Sequence, residues 1–330
     1  MDTPNPGFIP HFEDAERQQC KASIMIEGLP GKGKTGLALG IAYILAGQDW
    51  SKVSAIDTEN KSMPLYVGLE SSFGGQFGKF KVAHLTPDVG FKPTNYLFLR
   101  DYAVNKLGAE IVIKDSISHA WTYKGGVLDL VNQAKNSNTR YAKDNYAAWG
   151  DPEVYREKNE LLQLIRDPNV HVITTVRVKE KFEYDTSEEK TKLKSLGEQQ
   201  IQQSELKYEP DLVLHMLEPG KAKQGNFPKH PVVRVVKSRY AIFDEDEEYE
   251  ISPELVKQLK DYLQDGVNPN EILEAQRQDY IEVVKEHLRN NTSAQPIWKT
   301  LKADAGYDDT KLNDMPLGII KACYMKLTSN

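Results

Sequence analysis

The octapeptide from Gly28 to Thr35, GLPGKGKT, is the feature that most restricts what this chain can fold into. A short apolar run, residues 23–28, leads into it, and residues 35–46, rich in Leu, Ala and Ile, follow with helical spacing. Such a run is typical of a buried strand, and the pattern after it is typical of a helix. Glycines let the backbone between the two turn tightly and expose its N–H groups. The sequence therefore predicts a strand, a phosphate-binding loop and a helix in direct succession.

The residue types in this loop suit ATP and its Mg²⁺ ion. The helix N-terminus adds partial positive charge, Lys34 brings a point charge to the β- and γ-phosphates and acts in catalysis there, and the Thr35 hydroxyl ligates the metal. A chance glycine-rich turn is the alternative interpretation. We expect the nucleotide to be bound by Gly28, Pro30, Gly31, Lys32, Gly33, Lys34, Thr35 and Gly36.

A second acid is needed for the metal, and Asp115 is the candidate. It ends the apolar run 111–115, and ligands of open α/β sheets bind at the carboxyl ends of the strands. We expect Asp115 to act through the water shell of Mg²⁺; the alternative is an aspartate that caps the next turn. Lys114, unusual in a buried strand, is expected to point away from the core.

Strand and helix patterns alternate along most of the chain, which predicts an α/β fold with a mostly parallel central sheet. Later strands follow without intervening helices, so one edge of the sheet is expected to be antiparallel. Strands are predicted at residues 23–28, 53–57, 80–85, 111–115, 171–176, 211–217 and 231–240, and helices at 35–46, 96–107 and 253–263. Two polar stretches, 135–151 and 179–205, interrupt this alternation and are expected to be functional or disordered loops.

Three regions are expected. Residues 1–22 form an irregular lead-in, residues 23–265 the α/β core, and residues 266–330 a small all-helical domain with helices at about 268–288, 296–303 and 316–326.

Composition excludes several classes of protein. The net charge of −6 argues against a chain that coats nucleic acid by bulk charge, so nucleic-acid binding requires a local patch. No apolar run approaches the roughly 20 residues of a membrane-spanning helix, and the first ten residues lack the pattern of a signal peptide. The two cysteines, Cys20 and Cys323, are far apart and have no metal-binding spacing. These features favour a protein of a reducing compartment, the cytoplasm.

Three further motifs narrow the class. Asp57-Thr58-Glu59 ends the second strand, Asp115-Ser116 ends a later one, and Lys237-Ser-Arg239 follows the last. Together with the phosphate loop they make residues 23–243 resemble the RecA-like ATPase core. More narrowly, the chain resembles the phage-encoded nucleotide-binding proteins of that group, which include RecA-like single-strand annealing recombinases.

The resemblance implies roles for residues outside the loop. Glu59 would polarise the attacking water, and a carboxylate at this place can accept its proton. Thr175 would sense the γ-phosphate, and Lys237 and Arg239 would reach the ATP site of a neighbouring subunit in a ring or filament. The alternatives are a surface acid for Glu59, a strand-forming threonine for Thr175, and for the basic pair an edge strand that discourages aggregation.

In RecA-like cores, the loops after the fourth and fifth strands hold DNA. The first corresponding segment offers cations beside aromatic rings, the combination that single-strand binders use, but the second is nearly neutral. The DNA-binding candidates are Arg140, Tyr141, Lys143, Lys179 and Lys181.

The expected function is ATP hydrolysis on single-stranded DNA, for annealing or strand exchange in phage recombination or replication in the host cytoplasm. Alternatives are a ring helicase or translocase, and a nucleotide-gated loading scaffold with little ATP turnover. The helical C-terminal domain is expected to bind a replication or recombination partner or to contribute to an oligomer.

Overall fold

The computed structural model describes residues 14–137, 139–142, 144–185, 192–200, 204–218 and 228–328; at 145, 180–185, 192–200 and 204–205 the description covers the backbone alone. Within these ranges the chain divides into two compact units, residues 21–263 and a unit that joins residues 14–20 to 264–328. No helix in the described ranges is both long enough and apolar enough to cross a membrane.

A mostly parallel sheet organises the larger unit. Its order is β3-β2-β4-β5-β1-β7-β8-β9, with β6 paired to β5. The pairs among β1 to β5 and the β1–β7 pair are parallel, whereas the β7–β8, β8–β9 and β5–β6 pairs are antiparallel. The strands are β1 Ser23–Gly28, β2 Val53–Asp57, β3 Lys81–His84, β4 Ile111–Asp115, β5 His171–Asp185, β6 Lys192–Gln200, β7 Leu212–Met216, β8 Val232–Ser238 and β9 Glu248–Glu250.

Helices cover both faces of this sheet. They are α1 Lys34–Leu45, α2 Pro93–Leu107, α3 Ser118–Thr122, α4 Val127–Lys135, α5 Asn145–Trp149, α6 Pro152–Gln163 and α7 Pro253–Gln264. Successive strand side chains leave opposite faces, so Ile24 and Ile26 of β1 join the core with α1, whereas Met25 joins the core with α2 and α6. The predicted α/β class, with a mostly parallel sheet and an antiparallel edge, is confirmed.

The smaller unit is helical. It contains α8 Pro269–Asn290, α9 Ala294–Asp304 and α10 Leu317–Thr328 around a core that includes Val284, Trp298 and Ile320. Residues 14–20 lie against its beginning: Gln18 pairs with Val267. The predicted helical C-terminal region is thus present.

The structure corrects three expectations. The polar stretch 179–205 is not simply a loop, because β5 continues to Asp185 and pairs with β6 in an antiparallel hairpin. Lys114 does not point away from the core: it is fully buried, and its Nζ donates to Leu164 O at 2.6 Å. That carbonyl follows the last turn of α6, where helices leave carbonyl groups without an internal partner. The stretch 135–151 also contains regular structure, the short helix α5.

Candidate nucleotide-hydrolysis site

The loop between β1 and α1 closes around the ammonium group of Lys34. Lys34 is only 8% exposed, and its Nζ donates to the carbonyls of Gly28 and Leu29, both at 2.9 Å. Gly31 and Gly33 have φ values of 78° and 87°, a region that side-chain-bearing residues rarely adopt. The turn thus depends on glycine at these positions and holds a buried cation at the start of a helix, the arrangement that binds phosphate.

Two other glycines of the nucleotide-binding segment have close neighbours. A Cβ at Gly28 would lie 2.9 Å from the Cβ of Met216, and one at Gly36 would lie 3.2 Å from Cε1 of Tyr66. Tyr66 packs over the first turn of α1, and burial raises the pKa of its hydroxyl. Pro30 and Lys32 lie on the outer side of the loop, where Lys32 pairs with Glu218.

Asp115, Thr35 and Thr175 meet at the sheet edge beneath the loop. Thr35 Oγ1 donates to Asp115 Oδ2 at 2.6 Å, and Thr175 Oγ1 donates to Asp115 Oδ1. The peptide bond between Asp115 and Ser116 is cis. Burial raises the pKa of Asp115 to about 6, against the opposing effect of the two hydroxyl donors.

This donor set fits Mg²⁺, which prefers hard oxygen ligands and keeps several of its waters. Thr35 would hold the ion directly and Asp115 through water, and the ion would neutralise phosphate charge and favour the ionised form of Asp115. Thr175 lies beside the strand that carries the loop, as expected, but its hydroxyl is engaged by Asp115. The structure therefore shows Thr175 as a support for Asp115, and its sensing of phosphate stays a prediction.

Glu59 forms an ion pair that the sequence did not suggest. Its Oε1 accepts from Arg177 Nε at 2.8 Å, and Arg177 Nη1 donates to the Tyr123 hydroxyl at 3.1 Å. Arg177 lies opposite Gly28 in the β5–β1 register, so the pair lies next to the phosphate loop. Asp57 Oδ1 accepts from the Glu59 backbone N–H at 2.8 Å, which fixes the turn that presents Glu59.

The basic pair after β8 lies among groups of its own chain. Lys237 Nζ donates to the carbonyls of Tyr208 and Pro210, and burial lowers its pKa. Arg239, about half exposed, donates to Asp211 Oδ1 at 3.0 Å. Arg239 is thus the more accessible of the two, whereas the ammonium of Lys237 is already bound to backbone.

Two of the DNA-binding candidates, Arg140 and Tyr141, contact each other. Arg140 donates to the Tyr141 hydroxyl at 2.6 Å, and its guanidinium lies 4.8 Å from the ring centre. Lys179 is exposed on β5, the backbone of Lys181 follows in the same strand, and Lys143 lies outside the described residues. Near Arg140, Tyr146 is 90% exposed and offers an open ring face.

Arg177 and Tyr66 are the site residues that sequence reasoning missed. Arg177 follows the predicted sensor Thr175 by two positions, and neighbours at this spacing leave the same face of a strand. That spacing is the sequence feature from which Arg177 could have been placed at the site. No sequence feature places Tyr66 there, because only the turn after Glu59 brings it over Gly36.

An AAA domain model matches residues 20–250, more than half of the chain. Among solved structures, the chain is similar to a KaiC-like protein from the hyperthermophilic archaeon Pyrococcus horikoshii OT3, at 16% identity, 69% coverage of this chain, 83% coverage of that chain and a TM-score of 0.39. No curated protein matches the chain. The match over residues 20–250, on a chain with an assembled phosphate loop, shows that this protein belongs to the AAA domain family and is a nucleotide-binding ATPase.

Proposed function

We propose that this protein is a RecA-like ATPase of phage origin that acts on single-stranded DNA in recombination or replication, in the cytoplasm of a bacterial host. The meeting of Thr35, Asp115 and the Lys34 loop at one sheet edge, with Glu59 beside it, carries the ATPase part of the proposal. Lys34 would hold the phosphates, Thr35 and Asp115 the metal, and Glu59 would take a proton from the attacking water.

The action on DNA is supported by the hairpin of β5 and β6. Its first strand leaves the sheet directly after Arg177, which contacts Glu59, so a strand bound along the hairpin would lie close to the hydrolysis site. Arg140 and the exposed Tyr146 supply a cation and a ring for stacking nearby in sequence. Because the net charge of the hairpin is nearly zero, we expect its affinity for DNA to come from stacking and local cations and not from bulk charge.

The defining experiment measures ATP hydrolysis with and without single-stranded DNA, alongside the mass of the assembly with nucleotide. A higher rate of ATP hydrolysis with oligo(dT) supports the proposal, whereas a rate that single-stranded DNA does not change contradicts it. Directional unwinding of duplex DNA would instead favour a ring helicase.

Assembly into a homo-oligomer is the second part of the proposal, with Arg239 acting in the site of a neighbouring subunit. Arginine suits this task because its planar fork holds phosphate oxygens as charge develops. Arg239→Ala subunits should bind ATP but fail to hydrolyse it, with a loss of about 10³–10⁵ in rate. Mixing them with Lys34→Ala subunits should recover activity. At an interface between the two variants, the intact phosphate loop of one subunit can meet the intact Arg239 of the other. No recovery in demonstrably mixed oligomers refutes the role in a neighbouring site.

One observation favours a second candidate, a nucleotide-gated scaffold with little turnover. The ion pair with Arg177 occupies Glu59 Oε1, and a base engaged in this way is less available to water. Very slow hydrolysis together with ATP-dependent binding of a replication or recombination partner, through the helical C-terminal unit, would support the scaffold.

A further inference from the structure

A cavity of about 310 Å³ lies beside the hydrolysis site, at the carboxyl ends of β2 and β3. The phosphate loop contributes none of its lining residues, so the cavity is distinct from the loop that would hold ATP. Its volume is at the lower end of the range of small-molecule sites, about 300–1,000 Å³. Glu59 and Arg177 belong to its wall, which places it in direct contact with the ion pair described above.

Aromatic side chains form one side of this cavity. Phe91, His119 and Tyr123 all line it, with ring centres 5.2 Å apart for Phe91 and His119 and 4.1 Å apart for His119 and Tyr123. Phe91 is buried, whereas Tyr123 is 44% exposed and offers ring surface for contact. Such a wall suits a flat ring, which gains stacking energy on aromatic faces.

One ring on the same wall carries a buried polar atom with no hydrogen-bond partner among the described residues. His119 is only 3% exposed, its Nδ1 lies 2.6 Å from Thr58 Oγ1, and its Nε2 has no hydrogen-bond partner within the described residues. Burial lowers the pKa of His119 to about 4, so the imidazole is neutral. Unsatisfied buried polar atoms are uncommon in folded proteins, and this one belongs to a ring that lines the cavity.

Arg177 supplies positive charge beside the rings. Its Nε and Nη1 are engaged by Glu59 and Tyr123, but Nη2 makes no hydrogen bond within the described part of the chain. Its guanidinium lies 5.9 Å from the centre of the Tyr123 ring. Exposed Lys61 lies on the same cavity wall. A guanidinium with a free edge beside an aromatic face can hold a phosphate group in charge-assisted hydrogen bonds.

We propose that this cavity is a second ligand site, which binds one nucleoside monophosphate unit with its base against Tyr123 and Phe91 and its phosphate on Arg177. The unit has two possible sources, a free mononucleotide or one nucleotide of a single strand, and both present the same ring and the same phosphate. A phosphate that draws Arg177 towards the cavity leaves Glu59 free to face water. Occupancy of the cavity then stimulates ATP hydrolysis; this coupling, unlike the binding itself, rests on the proposed function.

The test is a calorimetric titration of the full-length protein, saturated with ADP and Mg²⁺ so that the phosphate loop is filled. The probes are dTMP, thymidine and oligo(dT). We expect dTMP to bind and thymidine to bind at least about tenfold more weakly, because it lacks the group that Arg177 holds. Tighter binding of oligo(dT) than of dTMP assigns the site to a nucleotide within a strand, and equal or weaker binding assigns it to a free mononucleotide.

Variants locate the binding. Arg177→Ala should weaken the binding of dTMP by about tenfold to a hundredfold. Tyr123→Ala should weaken it by at least about fivefold, whereas Tyr123→Phe keeps the ring and most of the affinity. Arg234→Ala is the matched control, because Arg234 also pairs with a glutamate, Glu248, at 2.8 Å, but on the far side of the sheet. Since 44% of Tyr123 is exposed, its variants are expected to fold.

The proposal is overturned if neither dTMP nor oligo(dT) binds the ADP-filled protein, or if Arg177→Ala and Tyr123→Ala bind as well as Arg234→Ala does. The titration does not measure hydrolysis, so its result is separable from the proposed function. Binding that depends on Arg177, in a protein whose ATPase ignores DNA, upholds the cavity site and refutes the DNA-stimulated ATPase. DNA-stimulated hydrolysis without binding in the cavity refutes the cavity site and upholds the DNA-stimulated ATPase.

Discussion

Replacing Glu59 by glutamine separates its chemical role from its structural one. The amide keeps the shape of the side chain and still accepts a hydrogen bond from Arg177, but it cannot take a proton from water. General-base catalysis contributes about 10²–10⁴ in rate, so hydrolysis should fall by that factor, which corresponds to roughly 3–5 kcal/mol in the barrier. ATP binding should persist, because residues 28–36 supply the phosphate loop.

The structural cost of the same change should be small. In the Glu59–Arg177 pair, 27% and 28% of the two side chains are exposed and the N–O distance is 2.8 Å. Loss of the charge from such a partly exposed pair costs about 1 kcal/mol. A domain with about 5–15 kcal/mol of stability stays folded after that loss. The lost rate therefore reports chemistry and not unfolding.

The assay is single-turnover ATP hydrolysis with enzyme in excess, beside nucleotide affinity and thermal unfolding of the same samples. Glu248→Gln is the matched control, because Glu248 pairs with Arg234 at the same distance on an exposed strand. Hydrolysis by Glu59→Gln within a few-fold of wild type would show that the base lies elsewhere.

Four further variants test other parts of the structure. Lys34→Ala should abolish ATP hydrolysis and the thermal stabilisation that ATP gives, and wild-type behaviour in either assay would contradict the role of the phosphate loop. Burial, with a smaller effect of a neighbouring arginine, lowers the pKa of Lys114 to about 7. Between that value and the ordinary 10.5 the unfolded chain holds a proton that the folded chain lacks, so wild-type stability should rise with pH by up to about 1.4 kcal/mol per unit. Unfolding titrations of Lys114→Met across this window should lack that rise, and parallel wild-type and variant profiles would refute it. In DNA-binding titrations at several salt concentrations, Arg140→Ala with Lys179→Ala should reduce the salt slope by about 1.4, the value for two phosphate contacts to a single strand. Tyr146→Ala should weaken binding without changing the slope, because stacking releases few ions, and an unchanged slope in the double variant would place the DNA elsewhere.

The sequence alone determined the phosphate loop, the strand that leads to Asp115 and the α/β class. These features are local: a glycine pattern, a short apolar run and a helical period each depend on residues close together in the chain. The position of Asp57-Thr58-Glu59 at the end of a strand was predictable for the same reason, because a short apolar run directly precedes it. Its closeness to the phosphate loop followed from the α/β class, since the carboxyl ends of parallel strands meet at one edge of the sheet.

The tertiary structure decided what surrounds those features. Glu59 and Arg177 are 118 positions apart, and no local pattern predicts their ion pair. The pair forms because β2 and β5 lie on either side of β4 in parallel register, so the residues after β2 come close to the end of β5 that carries Arg177. Lys114 was misjudged for a similar reason. A charged side chain in a strand is expected to reach water, but a helix that ends 50 residues later supplies the buried carbonyl that accepts its hydrogen bond. Partners of this kind are set by packing between elements far apart in the chain, which sequence periodicity does not encode.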